Sequence, residues 1–481
     1  MTREPEESVY RSPFATRWAG RAMLENWSDL RKFRTWRRLW IALAEAERLL
    51  GLDISEEQIA ELRAHQDDVD FELAARLERE TRHDVMAHVR AYGEQCPRAR
   101  GILHLGATSA FVGDNTDLIL LRDGLRLLLP PLATAGRNLA AFAREWRALP
   151  CLAYTHFQPA QVTTVGKRAC LWLQDLLDAA REIARVADEL PFRGVKGTTG
   201  TQASFLALFD GDHEKVKELE RRVAEAMGFS RVCPVTGQTY PRALDYRALC
   251  ALGLLAAACH KMAGDLRLLA GLKELEEPFG RSQVGSSAMA YKRNPMRSER
   301  MASLCRFLLN QVPNAAFTAA DQWLERTLDD SAVRRLTLPE AFLAADSVLR
   351  LAANVTGGLV VNRAVIERRL RAELPFIATE NILMLGVRAG GDRQALHERI
   401  RVHSLDAAER VKAGDGVNDL LDRLRADEAF TAIGAGLDAA LAPSAFVGRA
   451  PEQVDEYLDQ VARPALADLP DDDDAAGEPR V

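Results

Sequence analysis

The sequence has no framework of paired cysteines. Its seven cysteines, at positions 96, 151, 170, 233, 250, 259 and 305, are scattered and odd in number, without a C-x-x-C spacing. They read as reduced, mostly buried small hydrophobes, which argues against a disulfide scaffold or a zinc site. There is no basic excess either: 63 Lys and Arg stand against 69 Asp and Glu, a formal charge of -6. That balance argues against a nucleic acid polymer as partner, while local arginines can still bind a small anion. No uninterrupted apolar run reaches the roughly 20 residues that span a bilayer, and the opening M-T-R-E-P-E-E-S lacks the apolar core of a secretory signal. A cytoplasmic protein without a membrane partner is therefore expected. Alternating strand patterns, Asn-Gly hairpin signals and internal repeats of 20 to 50 residues are also lacking, so the expected fold class is all-α.

What is present is ordinary globular composition, 47% hydrophobic and 27% charged over 481 residues, enough for roughly two to four domains. A helical stripe runs from Phe33 to Leu50 and stops at Gly51, and Ser55 before E-E-Q-I-A-E-L signals another helix start. A third run leads into Thr81-Arg82-His83-Asp84 and on to His88. Asp117 to Trp146 has helical period, but Pro130-Pro131 should kink or split it. Lys167 to Leu190 is a second long amphipathic run. Ala243 to Glu276 is apolar on nearly every face and free of proline, so it should be a long helix buried in a bundle completed by other subunits. Helical patterns resume from Arg297 to Leu309 and from Ser331 to Val355, with Pro339 as a local irregularity. Beyond Asn362, shorter helices are punctuated by Gly390-Gly391 and Gly414-Asp415-Gly416, and the acidic end from Asp468 to Val481 reads as a solvated tail. The expected domains are 1–108, 109–361 and 362–481.

Chemistry concentrates in a few polar stretches. Gln283 to Pro295, Q-V-G-S-S-A-M-A-Y-K-R-N-P, sets two hydroxyls beside a Lys, an Arg and an Asn, and fits either an activated serine or a polar connector. In Y-T-H-F-Q-P-A-Q, His156 could exchange protons near neutral pH or serve structure, and Pro159 is expected to begin the next helix. His83 and His88 stand at i, i+5 rather than the i, i+4 of a helical metal pair, which disfavours metal. Arg193 to Thr201 is rich in Gly and Thr but lacks the phosphate-loop order, so a flexible or tightly turned connector is favoured. Arg326, Ser331, Arg334 and Arg335 cluster near a helix start that would suit a phosphate or carboxylate, or would equally form a salt-bridged surface.

Taken together, these stretches resemble the fumarase/aspartase superfamily. G-S-S-A-M-A-Y-K-R-N-P is similar to its signature, Thr108-Ser109 with Asp114-Asn115 to a second conserved stretch, and Thr155-His156 with Gln158 and Gln161 to a third. Within it the chain most resembles the adenylosuccinate lyase family of the animal type, through K-F-R-T-W-R, R-H-D-V-M-A-H, H-L-G-A-T-S, T-H-F-Q-P-A-Q, T-G-Q-T-Y and E-R-T-L-D-D-S-A. The resemblance implies a three-domain all-α fold whose long central helical bundle is completed by tetramerisation, with active sites shared between subunits of a homotetramer. It implies small-molecule nucleotide substrates, β-elimination of fumarate from adenylosuccinate and from succinyl-aminoimidazole-carboxamide ribotide in purine biosynthesis, and no metal or organic cofactor. By the same resemblance Ser286 is the base, His156 the acid, Lys292 an activating cation and Glu299 the carboxylate that orients the histidine. Substrate binding falls to Arg17, Trp18, Arg82, His83, Asp84, His104, Thr108, Ser109, Gln238, Asn294, Arg300, Arg326, Ser331 and Arg335. Trp18 replaces a usual tyrosine and Ala290 the signature proline, which should free the loop. A lyase acting on argininosuccinate or aspartate, or a catalytically silent helical oligomer, are the alternative readings.

Overall fold

The computed structural model describes residues 8–472, apart from 281, 415–417, 435 and 440. Part of the expected Gly414–Gly416 break, and the acidic tail beyond residue 472, therefore lie outside the described residues. A π-helical turn, Phe14–Trp18, precedes α1 (Arg21–Asn26), α2 (Asp29–Leu49), α3 (Glu56–Ala64), α4 (Phe71–Thr81) and α5 (Asp84–Gln95). Their limits are written in capping chemistry. Ser28 accepts from the Arg31 amide to start α2, earlier than the apolar stripe suggests, and Ser55 with Gln58 forms a full capping box for α3. α4 ends at Arg82 in a left-handed conformation, and the His83 ring then caps α5 by accepting from the Met86 amide.

Helix α6 (Ser109–Glu145) runs unbroken for 37 residues through Pro130 and Pro131, against the expected kink or split. Packing explains the difference: Leu125, Leu128, Leu132 and Ala133 are wholly buried around the prolines, and such burial outweighs the roughly 3 kcal/mol an interior proline costs. Pro339 likewise sits inside a continuous α12 (Asp330–Thr356). The second departure is a β-hairpin, β1 (Pro150–Thr155) and β2 (Gln158–Thr164), where Pro159 was expected to open a helix. Pro159 instead pairs opposite Tyr154 at the hairpin tip, consistent with the extended bias that a proline imposes on its predecessor.

Helices α7 (Val165–Glu189), α8 (Ala203–Leu208), α9 (His213–Ala226) and α10 (Ala243–Gly271) follow. α10 stops short of the expected Glu276, and its 29 residues extend about 44 Å at 1.5 Å per residue. It packs against α7, α11 (Met296–Ala320) and α12, and α6 joins the same long bundle through α7 and α12. By length and composition α10 could cross a membrane, yet 61% of its apolar stretch is buried inside this chain. A two-residue pair, β3 (Leu275–Glu276) with β4 (Val360–Val361), closes the end of the bundle. Then come α13 (Arg363–Ile377), α14 (Thr379–Arg388), α15 (Arg393–Ala413), α16 (Leu420–Ala426), α17 (Gly436–Ala439), α18 (Ala450–Tyr457) and α19 (Arg463–Ala467). One hydrophobic core runs from Phe14 through the bundle and takes in Val454, Leu458 and Leu466, while Ile382, Leu396, Ile400, Leu424 and Phe430 form a separate one. With only short strands beside these helices, the fold is all-α.

Candidate active site

A cavity of about 620 Å³ opens where the α4–α5 junction meets the N-termini of α6 and α12, and its walls include Arg82, His83, Asp84, Ser109, Arg326, Ser331 and Arg335. Three features make it suited to an anion. Thr108 is the N-cap of α6 yet its hydroxyl makes no capping bond, and apart from the Phe111 amide, which donates to the Thr108 carbonyl, the first-turn donors are not taken up by the cap. Ser331 lies in the first turn of α12, a second helix N-terminus directed at the same space. Arg82 is held at φ 51°, a left-handed conformation costing roughly 1–2 kcal/mol, and such strain tends to collect at functional positions. Arg335 reaches Asp84 at 3.5 Å from an exposed position.

Beneath the cavity lies a buried ionic lattice. Asp114 accepts from the Tyr240 amide at 2.8 Å and from Arg242 at 3.1 Å, and Arg242 also donates to Asp330 at 2.7 Å. Arg334 pairs with Asp245 at 2.7 Å and with Asp117 at 2.9 Å, and it also donates to the Tyr240 hydroxyl. Burial raises the pKa of Asp117, against the pull of Arg334. The adjacent Arg334 and Arg335 thus divide: the first is built into the floor, the second faces the opening.

His104 adopts φ 63°, and its Nδ1 accepts from the Trp40 indole at 2.9 Å. Burial, then the neighbouring His83, lowers its pKa to about 4. A neutral ring whose Nδ1 accepts carries its proton on Nε2, which makes His104 a fixed donor. His88 is stacked on Phe33 with ring centres 3.8 Å apart, a structural place. Among the described residues no group of three or more His, Cys, Asp and Glu is arranged to hold a metal.

The Arg193–Thr201 stretch is a tight connector whose cations are occupied. Arg193 is fully buried and donates to the carbonyls of Gln238 at 2.8 Å and Gly197 at 3.0 Å, while Lys196 pairs with Glu220 at 2.9 Å. Gln238 also donates its amide to the Glu325 carbonyl at 3.0 Å, which sets it beside the Arg326 segment.

The Gln283–Pro295 loop folds back on itself. A Cβ on Gly285 would stand 2.1 Å from the Lys292 carbonyl oxygen, so this glycine serves a close backbone approach. Asn294 Nδ2 donates to the Gly285 carbonyl at 2.8 Å and ties the loop shut. Ser286 Oγ accepts from the amides of Met289 at 3.1 Å and Ala288 at 3.3 Å. These two amides hold the hydroxyl oxygen in place, whereas Lys292 is exposed. Glu277 takes the amides of Arg297 and Ser298, each at 2.9 Å, and so anchors the start of α11. Glu299 is exposed on the first turn of α11. Arg300 follows, its pKa lowered by burial and then by nearby Arg17. Trp18 meets Phe14 edge-on at 5.5 Å, and Phe14 leans on Phe307 of α11 at 5.4 Å. Arg17, Trp18 and Arg300 therefore form a neighbourhood at α11.

His156 is exposed at the tip of the β1–β2 hairpin, where His156 and Phe157 have φ 53° and 57°. A two-residue turn with both φ positive normally selects Asn-Gly, so holding a histidine there is costly. Most of the expected site residues thus fall in three places on one chain, the cavity walls, the loop with the start of α11, and the hairpin tip, while His104 stands against Trp40 and Gln238 beside the Arg326 segment. Arg17, Trp18, His104, Thr108, His156, Gln238, Ser286, Lys292, Asn294, Glu299 and Arg300 are not among the cavity-lining residues. Trp27, Lys32 and Trp36, which do line it, were not singled out from sequence. The signal was there for two of them, since Lys32 and Trp36 belong to K-F-R-T-W-R.

Residues 10–308 match the family described as Lyase. Two solved structures share the fold: 3-carboxy-cis,cis-muconate lactonizing enzyme from Pseudomonas putida, at TM-score 0.80, 22% identity and coverage of 94% of this chain and 99% of that one, and fumarate lyase from Mesorhizobium sp. BNC1, at TM-score 0.78, 23% identity and the same coverage. Fold and matched stretch together define a lyase of the fumarase/aspartase superfamily. Residues 375–457 match the family described as Adenylosuccinate lyase C-terminus. Adenylosuccinate lyase of Saccharomyces cerevisiae is 53% identical over 465 residues, 96% of each chain, and that of Schizosaccharomyces pombe is 51% identical over 461 residues, 95% of this chain and 96% of the other. The chain belongs to the adenylosuccinate lyase family.

Proposed function

We propose that this lyase cleaves adenylosuccinate to AMP and fumarate, and succinyl-aminoimidazole-carboxamide ribotide to its carboxamide and fumarate. The observation that carries the reading is the cavity between two helix N-termini, with Arg82, Arg326, Arg335 and His83 around it, a setting for a substrate with phosphate and carboxylate groups. In the proposed elimination Ser286 removes the proton beside a succinyl carboxylate, aided by the amides that hold its oxygen. His156 protonates the departing nitrogen, with Glu299 orienting its ring. Lys292, Asn294, Arg300 and Gln238 engage the succinyl part, on which negative charge builds in the carbanion-like intermediate. Arg17, Ser331 and Arg335 take the phosphate, and Trp18, Arg82, Asp84, His104, Thr108, Ser109 and Arg326 complete the binding site.

A cytoplasmic homotetramer with active sites shared between subunits fits this reading. Tyr246, Leu254 and Leu268 are exposed large apolar side chains on α10, and Phe307 and Phe317 on α11. Large apolar side chains exposed along two long helices of the bundle favour a partner there. The three separated groups of site residues are then brought together by neighbouring copies.

Loss of adenylosuccinate absorbance, with AMP and fumarate as products, tests the activity, and argininosuccinate and aspartate serve as the contrasting substrates. Ser286→Ala and His156→Asn should each lower turnover by roughly 10²–10⁴-fold. Asparagine tolerates the left-handed turn at the hairpin tip, so the second variant should melt no lower than the wild type. Activity retained in either variant would remove that residue from its role, and turnover of only a contrasting substrate would replace the reading.

A further inference from the structure

We propose that Tyr154, Glu274 and Arg369 form a positioning cluster that fixes the hairpin bearing His156 against the root of the loop bearing Ser286. The proposal rests on the functional reading above and adds residues to it. Glu274 is 2% exposed and immediately precedes β3. Its Oε1 receives the Tyr154 hydroxyl at 3.2 Å and Arg369 Nε at 2.9 Å, and Arg369 Nη2 lies 3.4 Å from the Tyr154 oxygen. Three segments distant in sequence thus meet at one carboxylate: β1, two residues before His156; the strand that leads into the signature loop; and α13.

Adhesion alone does not account for this arrangement. The hairpin is already fastened to α13 by an apolar cluster of Leu152, Val162, Leu370 and Leu374. A buried carboxylate is a costly addition to such a contact, and Glu274 Oε2 has no hydrogen-bond partner. What a directional polar contact adds to an apolar one is a defined angle and register.

The neighbouring residues extend the same function along the chain. Lys273 is held at φ 59°, and Asn362 donates to its carbonyl at 3.0 Å and to Glu276 Oε1 at 3.1 Å. Glu276 Oε2 receives Arg293 of the loop at 3.4 Å, and Glu277 anchors the start of α11 where the loop ends. Between them, residues 274 to 277 therefore carry contacts to the hairpin, to β4 and Asn362 after it, and to the C-terminal end of the loop with the start of α11. Tyr154, Glu274 and Arg369 act through His156 and are not themselves placed against substrate.

The test is steady-state kinetics of Tyr154→Phe, Glu274→Gln and the double variant with adenylosuccinate, alongside His156→Asn, with melting temperature and oligomer size measured for each. Each single variant should lower kcat about tenfold or more with KM within about twofold, because misplacing a reacting group by a fraction of an ångström is expressed in turnover. The double variant should lose no more than the worse single one, since either change breaks the same unit. Wild-type kcat in both single variants, or losses that merely track the unfolded fraction, would overturn the positioning role. If His156→Asn itself kept full turnover, the functional reading would fail instead, and the two failures are thereby told apart.

Discussion

Glu47 provides a direct test of how burial and charge are balanced beside the N-terminal core. It lies on α2, is 0% exposed, and neither carboxylate oxygen has a hydrogen-bond partner. Burial raises its pKa from 4.5 to about 9. Between those values the folded chain holds a proton that the unfolded chain has released, so the native state binds more protons and stability falls as pH rises. At pH 7 the cost is 1.36 kcal/mol for each of 2.5 pH units above the unfolded value, about 3 kcal/mol. Glu47→Gln keeps the shape and the polar desolvation but removes the ionisation. The variant should match the wild type near pH 4.5 and exceed it by about 3 kcal/mol at pH 7, the gap widening further toward pH 8. Urea midpoints of the two proteins run in parallel at pH 5, 6, 7 and 8 measure this gap directly. An increment that is the same at pH 5 and pH 8, or no increment at pH 8, would refute the burial argument.

Other perturbations follow from single contacts. Asp114→Asn neutralises the carboxylate that holds Arg242 and the Tyr240 amide, and should cost about 3–5 kcal/mol, read as a lower urea midpoint. Gly285→Ala places a Cβ 2.1 Å from the Lys292 carbonyl oxygen, so turnover should fall while the melting temperature of the bundle stays unchanged. Burial lowers the pKa of His88 to about 4. The unfolded state then binds more protons between pH 6.5 and 4, so stability is lost on acidification through that window, and His88→Phe, which keeps a ring against Phe33, should flatten the loss.

Helix limits were legible where local chemistry decides them. Ser55 before its acidic first turn, and the stop at Gly51, are short-range signals that tertiary packing leaves in force. The Pro130-Pro131 pair was misread because its effect depends on what surrounds it: a proline breaks an isolated helix, while α6 is clamped by buried leucines on both sides. The hairpin was invisible for a related reason. Its turn is His156-Phe157, and nothing in those two letters announces left-handed backbone; strain of this kind is imposed by the rest of the fold. Candidate site residues were legible through motif resemblance, but their separate roles in the scaffold were not. Arg334 and Arg335 look alike in sequence, yet the rotation of about 100° between neighbouring helical positions sends one into the buried lattice and the other to the opening. Asp114 was noted as part of a motif and proves to be the carboxylate that joins Arg242 and Tyr240 beneath the cavity.

The dispersal of the candidate residues over one chain connects the fold to the proposed chemistry. A cavity at helix N-termini can bind an anion without completing an elimination, because the proposed base sits on a loop closed by Gly285 and Asn294, and the proposed acid on a hairpin tip exposed to solvent. Each of the three is held by its own devices: the buried ionic lattice under the cavity, the Glu277 anchor and backbone closure for the loop, and the Tyr154–Glu274–Arg369 contact for the hairpin. Rigid local mounting of this kind is what a shared site requires, since groups supplied by different copies can converge with sub-ångström precision only if each is already fixed within its own subunit. In the proposed homotetramer the exposed apolar side chains of α10 and α11 would contribute association energy, at about 25 cal/mol per Å² buried, so the same long helices that form the core would also set the three mounts against one another.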